Sequence, residues 1–277
     1  MLTTAGPATP SHGAAGVLAA LLEARTGQQL ANDRAWRLDT ALKPLLRERG
    51  MDSLDQLVRE LLAGGDAALG DRIVDALLNQ ETSFFRDAAM FDLVGDALAE
   101  LAAGRRARIW SAGCATGQEP LSLAMLLAER GLDFEILATD VSEGALTRAR
   151  QGRYTQFEIQ RGLPIRRMMR WFDAADADWA AKPELMRRLA FRRVNLVADQ
   201  RPAGRFDLVL CRNVLLYLAP AQREAVFARL AAALRPGGLL LLGAGETVIG
   251  QTDAFAPSHR FRGLYEAAAG GGKRAAA

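Results

Sequence analysis

From Arg105 onward the chain alternates two textures, and that alternation constrains its fold more than any other feature. Short strand-like runs, ARIWSA, FEILATD, LAFRRVNL, FDLVLCRN and GGLLLLGAGE, are separated by helical ones, including PLSLAMLLAER, SEGALTRAR and AQREAVFARLAAAL. Strand and helix in alternation require crossover connections, so the strands lie parallel and helices cover both faces. The expected class is α/β, a Rossmann-like sheet. In such sheets ligands sit beyond the carboxyl ends of the strands. Functional side chains are therefore expected just after each strand.

Upstream the period changes. Val17, Leu18, Leu21 and Leu22 share one helical face; Leu54, Leu57, Val58, Leu61 and Leu62 share another; Ile73, Val74, Leu77 and Leu78 form a third. Spacings of three and four put each set on one side of a helix. Asp52 or Ser53 is placed to cap the second, and Gly27, Gly50 and Gly64–Gly65 punctuate the runs. An all-helical domain is expected over 16–87, followed by a linker helix over 88–104 that carries Phe91, Val94, Leu98 and Leu101. The sheet domain is expected over 105–268. Residues 1–15 and 269–277 are small and polar and read as flexible tails.

Composition bounds the function. The 277 residues are half hydrophobic, enough for one large domain or a mid-sized domain with a smaller partner. A net charge of +3, scattered along the chain, does not make a nucleic-acid footprint. The two cysteines, Cys114 and Cys211, lie in apolar runs without a CxxC pair and read as buried free thiols, with no metal site expected. No apolar stretch is long enough to span a bilayer, and the first residues lack a basic start followed by an apolar run. A cytoplasmic protein is expected.

The unusual residues fall at strand ends. The first strand runs into SAGCATGQEP, where Gly113 and Gly117 allow a tight turn and Glu119 sits at the start of a helix. The turn is either a simple connection or a binding loop; a carboxylate at Glu119 faces a cavity there and attracts a cation. This is not the G-x-G-x-x-G dinucleotide fingerprint. Asp140 closes the second strand. It either accepts two ribose hydroxyls or caps the next helix, a task Ser142 does equally well. Arg212 and Asn213 follow a buried apolar strand and need polar partners. Asn195 occupies the matching place after LAFRRV, as an adenine contact or a turn residue. Pro236, Gly237 and Gly238 set a structural turn into the last central strand. Upstream, NQETSFFRD reads either as an interdomain hydrophobic plug of Phe84 and Phe85 with Arg86 solvated, or as a segment folded over the open edge of a ligand. In the second reading Thr82 makes a hydrogen bond and Arg86 a bidentate contact with a carboxylate; the two are compatible.

The stretches NQETSFFRD, WSAGCATGQEP, ATDVSEGALTRARQGRY, FRRVNL, FDLVLCRNVLLYL and RPGGLLLLGAGE together resemble the chemotaxis receptor methyltransferases, the CheR family, in order and spacing from Val17 to Glu266. The resemblance implies a helical amino-terminal domain that docks on a receptor. It also implies a sheet that binds S-adenosylmethionine and a small antiparallel β-subdomain inserted at about 171–193. Carried over, the cofactor contacts fall on Gln80, Thr82, Arg86, Gly113, Glu119, Asp140, Asn195, Leu196, Arg212 and Asn213. Gln80 stands where many members have asparagine, with Asn79 just before it. Tyr217 matches a tyrosine near the transferred methyl, and Tyr217 and Arg86 are the candidate catalytic residues. The receptor-contacting helix corresponds to NDRAWRLDTALKPLLRERG, whose Arg34, Arg37, Lys43 and Arg47 are the candidate substrate contacts; Pro44 interrupts it.

The expected reaction converts receptor glutamates to methyl esters and leaves S-adenosylhomocysteine. A glutamate is already ionised at neutral pH, so no general base is required. The two histidines, His12 and His259, lie near the chain ends, which disfavours a hydrolase built on a histidine base. The expected partner is the cytoplasmic helical region of a chemoreceptor, engaged by a monomer without nucleic acid or membrane insertion. Two alternatives stand beside this reading. One is a methyltransferase of the same fold acting on another carboxylate; the other is a sensor that binds S-adenosylmethionine without transferring the methyl.

Overall fold

The structure, a computed structural model, describes residues 12–30, 35–198 and 201–268; the side chains of 12 and 35–37 are not among those described. The chain divides into two compact units, residues 1–79 and 80–277.

The first unit is helical. Helix α1 spans His12–Thr26, α2 Ala35–Glu48, α3 Leu54–Ala63 and α4 Leu69–Leu77. The three-and-four spacing works as expected: Leu18, Leu38, Leu42, Leu57 and Ile73 are fully buried in one cluster. Each such side chain contributes about 1.5–3 kcal/mol on burial. Ser53 is the cap, its hydroxyl accepting from the Gln56 amide, and Gly64 ends α3 in the left-handed region at φ 70°. Two details differ from expectation. Helix α1 begins at His12, within the stretch expected as tail, because Ala14, Leu18 and Leu22 give it a buried face. Pro44 lies inside α2 without ending it, since Leu38, Leu42, Leu45 and Leu46 hold both sides of the proline in the core.

The second unit is built on a seven-stranded sheet. Its strands are β1 (Ala107–Ala112), β2 (Phe134–Asp140), β6 (Leu189–Arg193), β7 (Phe206–Cys211), β8 (Leu234–Leu242), β9 (Phe255–Pro257) and β10 (Tyr265–Ala267). Their order is β6-β2-β1-β7-β8-β10-β9. The first five are parallel, and β10 and β9 complete the edge antiparallel. Along the central strands alternate residues enter different cores. Ile109, Leu208, Leu210, Leu239 and Leu241 join one cluster; Trp110, Val209, Cys211, Leu240 and Leu242 join the other. That period of two, apolar on both faces, is why these runs are mostly apolar. Helices α5 (Ala88–Leu101) and α6 (Gln118–Glu129) supply the first cluster, and α11 (Pro220–Ala233) the second. Pro236–Gly238 fall within β8, where the ladder jumps from the pair Phe206–Leu234 to Leu208–Leu239.

A second sheet orders β3 (Arg153–Thr155), β5 (Asp178–Ala181) and β4 (Phe172–Ala175) antiparallel. It recruits Arg153–Thr155, ahead of the 171–193 range expected for the insert, and Leu189–Arg193 belong to the main sheet through β2. Between β2 and β4 lie α7 (Glu143–Gln151), α8 (Gln156–Gln160) and α9 (Ile165–Trp171).

Residues 80–87, expected to close the helical domain, pack with the sheet unit instead. Phe84 meets Tyr154 and Phe172 edge-on, with centroids 5.1 and 5.7 Å away. The Phe85 amide donates to Ser122 Oγ at 2.9 Å, and the Arg167 guanidinium lies 4.4 Å from the Phe85 ring centroid. Burying two adjacent aromatic side chains forces an irregular backbone: Phe85 and Asp87 sit at φ 48° and 60°. Such left-handed residues cost on the order of 1–3 kcal/mol each, so the surrounding contacts must hold them. Gly162, at φ 93°, lets this segment pass, because a Cβ there would lie 2.1 Å from the Phe84 carbonyl oxygen.

Candidate functional site

The chain runs from β1 outward to β2 and β6 on one side, then returns to β7 and β8 on the other. The direction reverses between β1 and β7, where open α/β sheets leave a crevice. The loops after both strands bring polar side chains together there.

Arg212, one residue beyond β7, is the centre of the cluster. Its side chain is 2% exposed. One guanidinium nitrogen lies 3.3 Å from Glu119; another donates to Asp87 at 2.5 Å and to the Arg86 carbonyl at 2.9 Å. Its Nε–H is buried without an acceptor. Glu119, in the first turn of α6, also accepts from Ser111 Oγ at 2.8 Å. Burial pushes the Glu119 carboxyl above the usual carboxylate range, against the pull of Arg212 and Ser111. The cation that Glu119 faces is thus the chain's own arginine. The Arg86 guanidinium is half-buried and takes no partner among the described residues.

Asp140, the last residue of β2, is tied on both oxygens. Oδ2 accepts from the Ala115 amide at 2.8 Å and Oδ1 from the Ser142 amide at 3.0 Å. Ser142 itself caps α7 through the Ala145 amide and accepts from Gln80 Nε2 at 3.1 Å. Asp140 therefore fastens the β1–α6 loop to the end of β2. The Asp140 carbonyl also accepts from the Val194 amide at 3.0 Å, which brings Asn195 beside this end. Asn195 Oδ1 accepts from the Val197 amide at 3.0 Å, forming a turn, and the Leu196 carbonyl accepts from Arg229.

The glycines have separate reasons. A Cβ on Gly113, at φ 85°, would meet Val214 Cγ2 at 2.4 Å; one on Gly117, at φ 95°, would meet Ala149 and the Tyr154 hydroxyl at 3.0 Å. Gly113 thus brings the β1 loop against the residues that follow β7. Asn213 stands at φ 59°, and its amide donates to Glu246 at 2.7 Å. Tyr217 ends the 3₁₀ turn Leu215–Tyr217 and is half-buried. Thr82 is half-buried in the segment before Arg86.

Among the substrate candidates, Arg34 and the Arg37 side chain lie outside the described residues. Lys43 and Arg47 lie four residues apart on α2 and are both exposed. They belong to the first unit, whereas the other site candidates belong to the second.

Sequence reasoning did not single out several participants. Asp87 binds Arg212, Ser111 binds Glu119, Glu246 binds the turn after β7, and Tyr154 donates its hydroxyl to the Thr116 carbonyl at 2.9 Å. Burial raises the Tyr154 phenol above its ordinary range, so it acts as a neutral donor. Asp87 and Tyr154 stand inside stretches that were read for other residues. Glu246 bonds only to backbone amides, which leave no mark in a sequence.

Residues 80–262 match the family described as CheR methyltransferase, SAM binding domain. The chain is 34% identical over 247 residues to the chemotaxis protein methyltransferase Cher2 of Pseudomonas putida, covering 84% of this chain and 90% of that protein. It is 38% identical over 244 residues to chemotaxis protein methyltransferase 1 of Vibrio cholerae, covering 84% and 89%. It is 37% identical over 242 residues to chemotaxis protein methyltransferase 1 of Pseudomonas aeruginosa, covering 82% and 87%. With a Rossmann-like sheet, a small antiparallel sheet and a polar cluster at the crossover, the chain belongs to the CheR methyltransferase family.

Proposed function

We propose that this protein transfers a methyl group from S-adenosylmethionine to glutamate side chains of chemoreceptors, giving glutamate methyl esters and S-adenosylhomocysteine. The observation that carries this reading is the cluster at the crossover. Among the described residues the buried Nε–H of Arg212 lacks an acceptor and the Arg86 guanidinium takes no partner, while the Ala115 and Ser142 amides fix Asp140 at the tip of β2. These groups fit an adenosyl amino acid, which offers a carboxylate, a ribose diol and a purine base with an exocyclic amine.

S-adenosylmethionine, when bound, supplies a methyl already activated by its positive sulfur. The chain's task is to place and shield it. Asp140 holds the ribose hydroxyls, and the Ala115 and Ser142 amides keep its carboxylate aimed. Arg86 holds the amino-acid carboxylate by a bidentate contact. Glu119, paired with Arg212, turns a negative face to the cationic end of the ligand. Asn195 and Leu196 meet the base, and Gln80, Thr82, Gly113 and Asn213 complete the pocket. Tyr217 orients the reacting groups near the methyl. The segment 80–87, fixed by Phe84 and Phe85, excludes water, which favours a reaction in which opposite charges neutralise. Most of the rate gain comes from alignment of donor and acceptor.

His259 is exposed near the end of the chain, away from these tasks, and an ionised glutamate needs no base. Lys43 and Arg47 on α2, with Arg34 and Arg37, dock the acidic helical region of the receptor. The protein acts in the cytoplasm as a monomer. No described helix is long and apolar enough to cross a membrane.

A transfer assay with methyl-labelled S-adenosylmethionine and receptor cytoplasmic fragments tests the reading. The expected result is base-labile label on receptor glutamates. Binding without transfer would instead assign the chain as a sensor, and label on a small carboxylic acid alone would move the substrate elsewhere.

A further inference from the structure

Glu246, in the loop after β8, has an unusual set of partners. Its Oε2 accepts from the amides of Asn213 at 2.7 Å and Gly243 at 2.9 Å. Its Oε1 accepts from the amides of Val214 at 3.1 Å, Leu215 at 2.9 Å and Leu216 at 3.3 Å. One carboxylate thus gathers the amides of four consecutive residues after β7 and one of its own loop. The turn Leu215–Tyr217 has no side-chain cap of its own. Glu246 performs that function from the loop after the neighbouring strand.

The approach leaves no slack. A Cβ on Gly243 would lie 2.8 Å from Asn213 Nδ2, and 2.9 Å from both the Asn213 amide nitrogen and Glu246 Oε2. Asn213, held at φ 59°, is where the chain reverses out of β7 between Arg212 and the turn that carries Tyr217. A non-glycine residue in this conformation persists only when its surroundings fix it.

We infer that Glu246 is a positioning residue for methyl transfer: by pinning the amides of residues 213–216, it sets Asn213 and Tyr217 without touching cofactor or substrate itself. This rests on the reading that the residues after β7 line the methyl site. Five donors converge on the two carboxylate oxygens, an arrangement that a neutral amide cannot satisfy. In Glu246→Gln, the side-chain NH₂ would face at least one pair of backbone N–H donors, because one oxygen cannot replace two. Glu246→Asp keeps the charge and both oxygens but is shorter by one methylene, so it retains part of the set.

The test uses the full chain and counts competent sites by S-adenosylhomocysteine titration. The turnover number per competent site is then measured with receptor fragment. In Glu246→Gln it is expected to fall roughly tenfold to a hundredfold, the scale at which small misplacements act on aligned reactants. In Glu246→Asp the fall should be smaller, with both variants still binding the product. A merely structural role predicts fewer binding sites with unchanged turnover at each, and that result overturns the inference. Equal losses in the Gln and Asp variants overturn it too, since charge would then be irrelevant. Asn213→Ala and Tyr217→Phe separate the two claims. If both retain wild-type turnover and product affinity, the reading of the strand end fails. If they lose activity while Glu246→Gln does not, only the positioning role fails.

Discussion

Arg86 and Asp140 carry the sharpest expectations at the scale of single residues. Arg86 presents a guanidinium that takes no partner among the described residues, so its removal deletes a ligand contact without breaking one of these internal ones. Arg86→Ala should weaken S-adenosylhomocysteine binding by about 1.5–3 kcal/mol, the worth of a hydrogen bond to a charged group. Calorimetry giving an unchanged dissociation constant would refute the carboxylate clasp. Asp140 differs because its oxygens already fasten two backbone amides. Asp140→Ala should therefore lower both product affinity and melting temperature, and intact affinity would remove the ribose role. Asp140 drew notice in the sequence because a polar side chain at the end of an apolar strand demands partners, and Arg86 because it follows two aromatics in NQETSFFRD. The doubled role of Asp140 was not legible, since the Ala115 amide comes from a different loop. Ser142 does cap α7, which left Asp140 available for the loop.

Among the elements, β7 is fixed at its two ends by opposite devices. At its carboxyl end Arg212 meets two acids. Near its start Asp207, with a side chain 2% exposed, accepts from Arg105, Arg235 and the Arg108 amide. Burial alone would raise the Asp207 carboxyl, but these donors outweigh it and hold the group below the usual carboxylate range. The resulting stabilisation is present at neutral pH and persists down to the ordinary aspartate range. It is lost as pH falls through the lowered folded value. Asp207→Asn should cost on the order of 2 kcal/mol at pH 7. The gap in melting temperature from the wild type should close in strong acid; a gap independent of pH would show that charge is not what matters. The five parallel strands could be read from the sequence because short strand-like runs alternate there with helical ones. Strands β9 and β10 could not: FAP and YEA have three residues each and no period to detect. The small sheet was placed too late because RYT reads as the tail of a helical segment. Only backbone pairing of Tyr154 with Trp179 makes it a strand.

For the whole molecule, the division of labour between the two units makes a prediction of its own. Lys43 and Arg47 are exposed in the helical unit, while the crossover cluster belongs to the sheet unit. Reversing both charges, Lys43→Glu with Arg47→Glu, should raise KM for receptor fragment several-fold at low salt. It should leave product affinity within about twofold, because the cofactor candidates all belong to the sheet unit, and the KM effect should fade with added salt. A matched loss of product affinity would argue that these side chains do not serve docking. The class of fold was legible from alternation alone. The place where the chain changes units was not, because residues 80–87 lack periodicity and their aromatic side chains fit either core by composition. Their packing with Tyr154, Phe172 and Ser122 decides it.

Cys114 and Cys211 sit beside the crossover, one in the β1 loop and one at the tip of β7, both buried. Burial lifts both thiols well above their usual range, so neither forms thiolate in the closed protein. Alkylating reagents are consequently blind to the native state and mark only molecules whose central strands have parted. The chain thereby carries a built-in clock for its own opening, and a ligand spanning the strand tips should slow that clock.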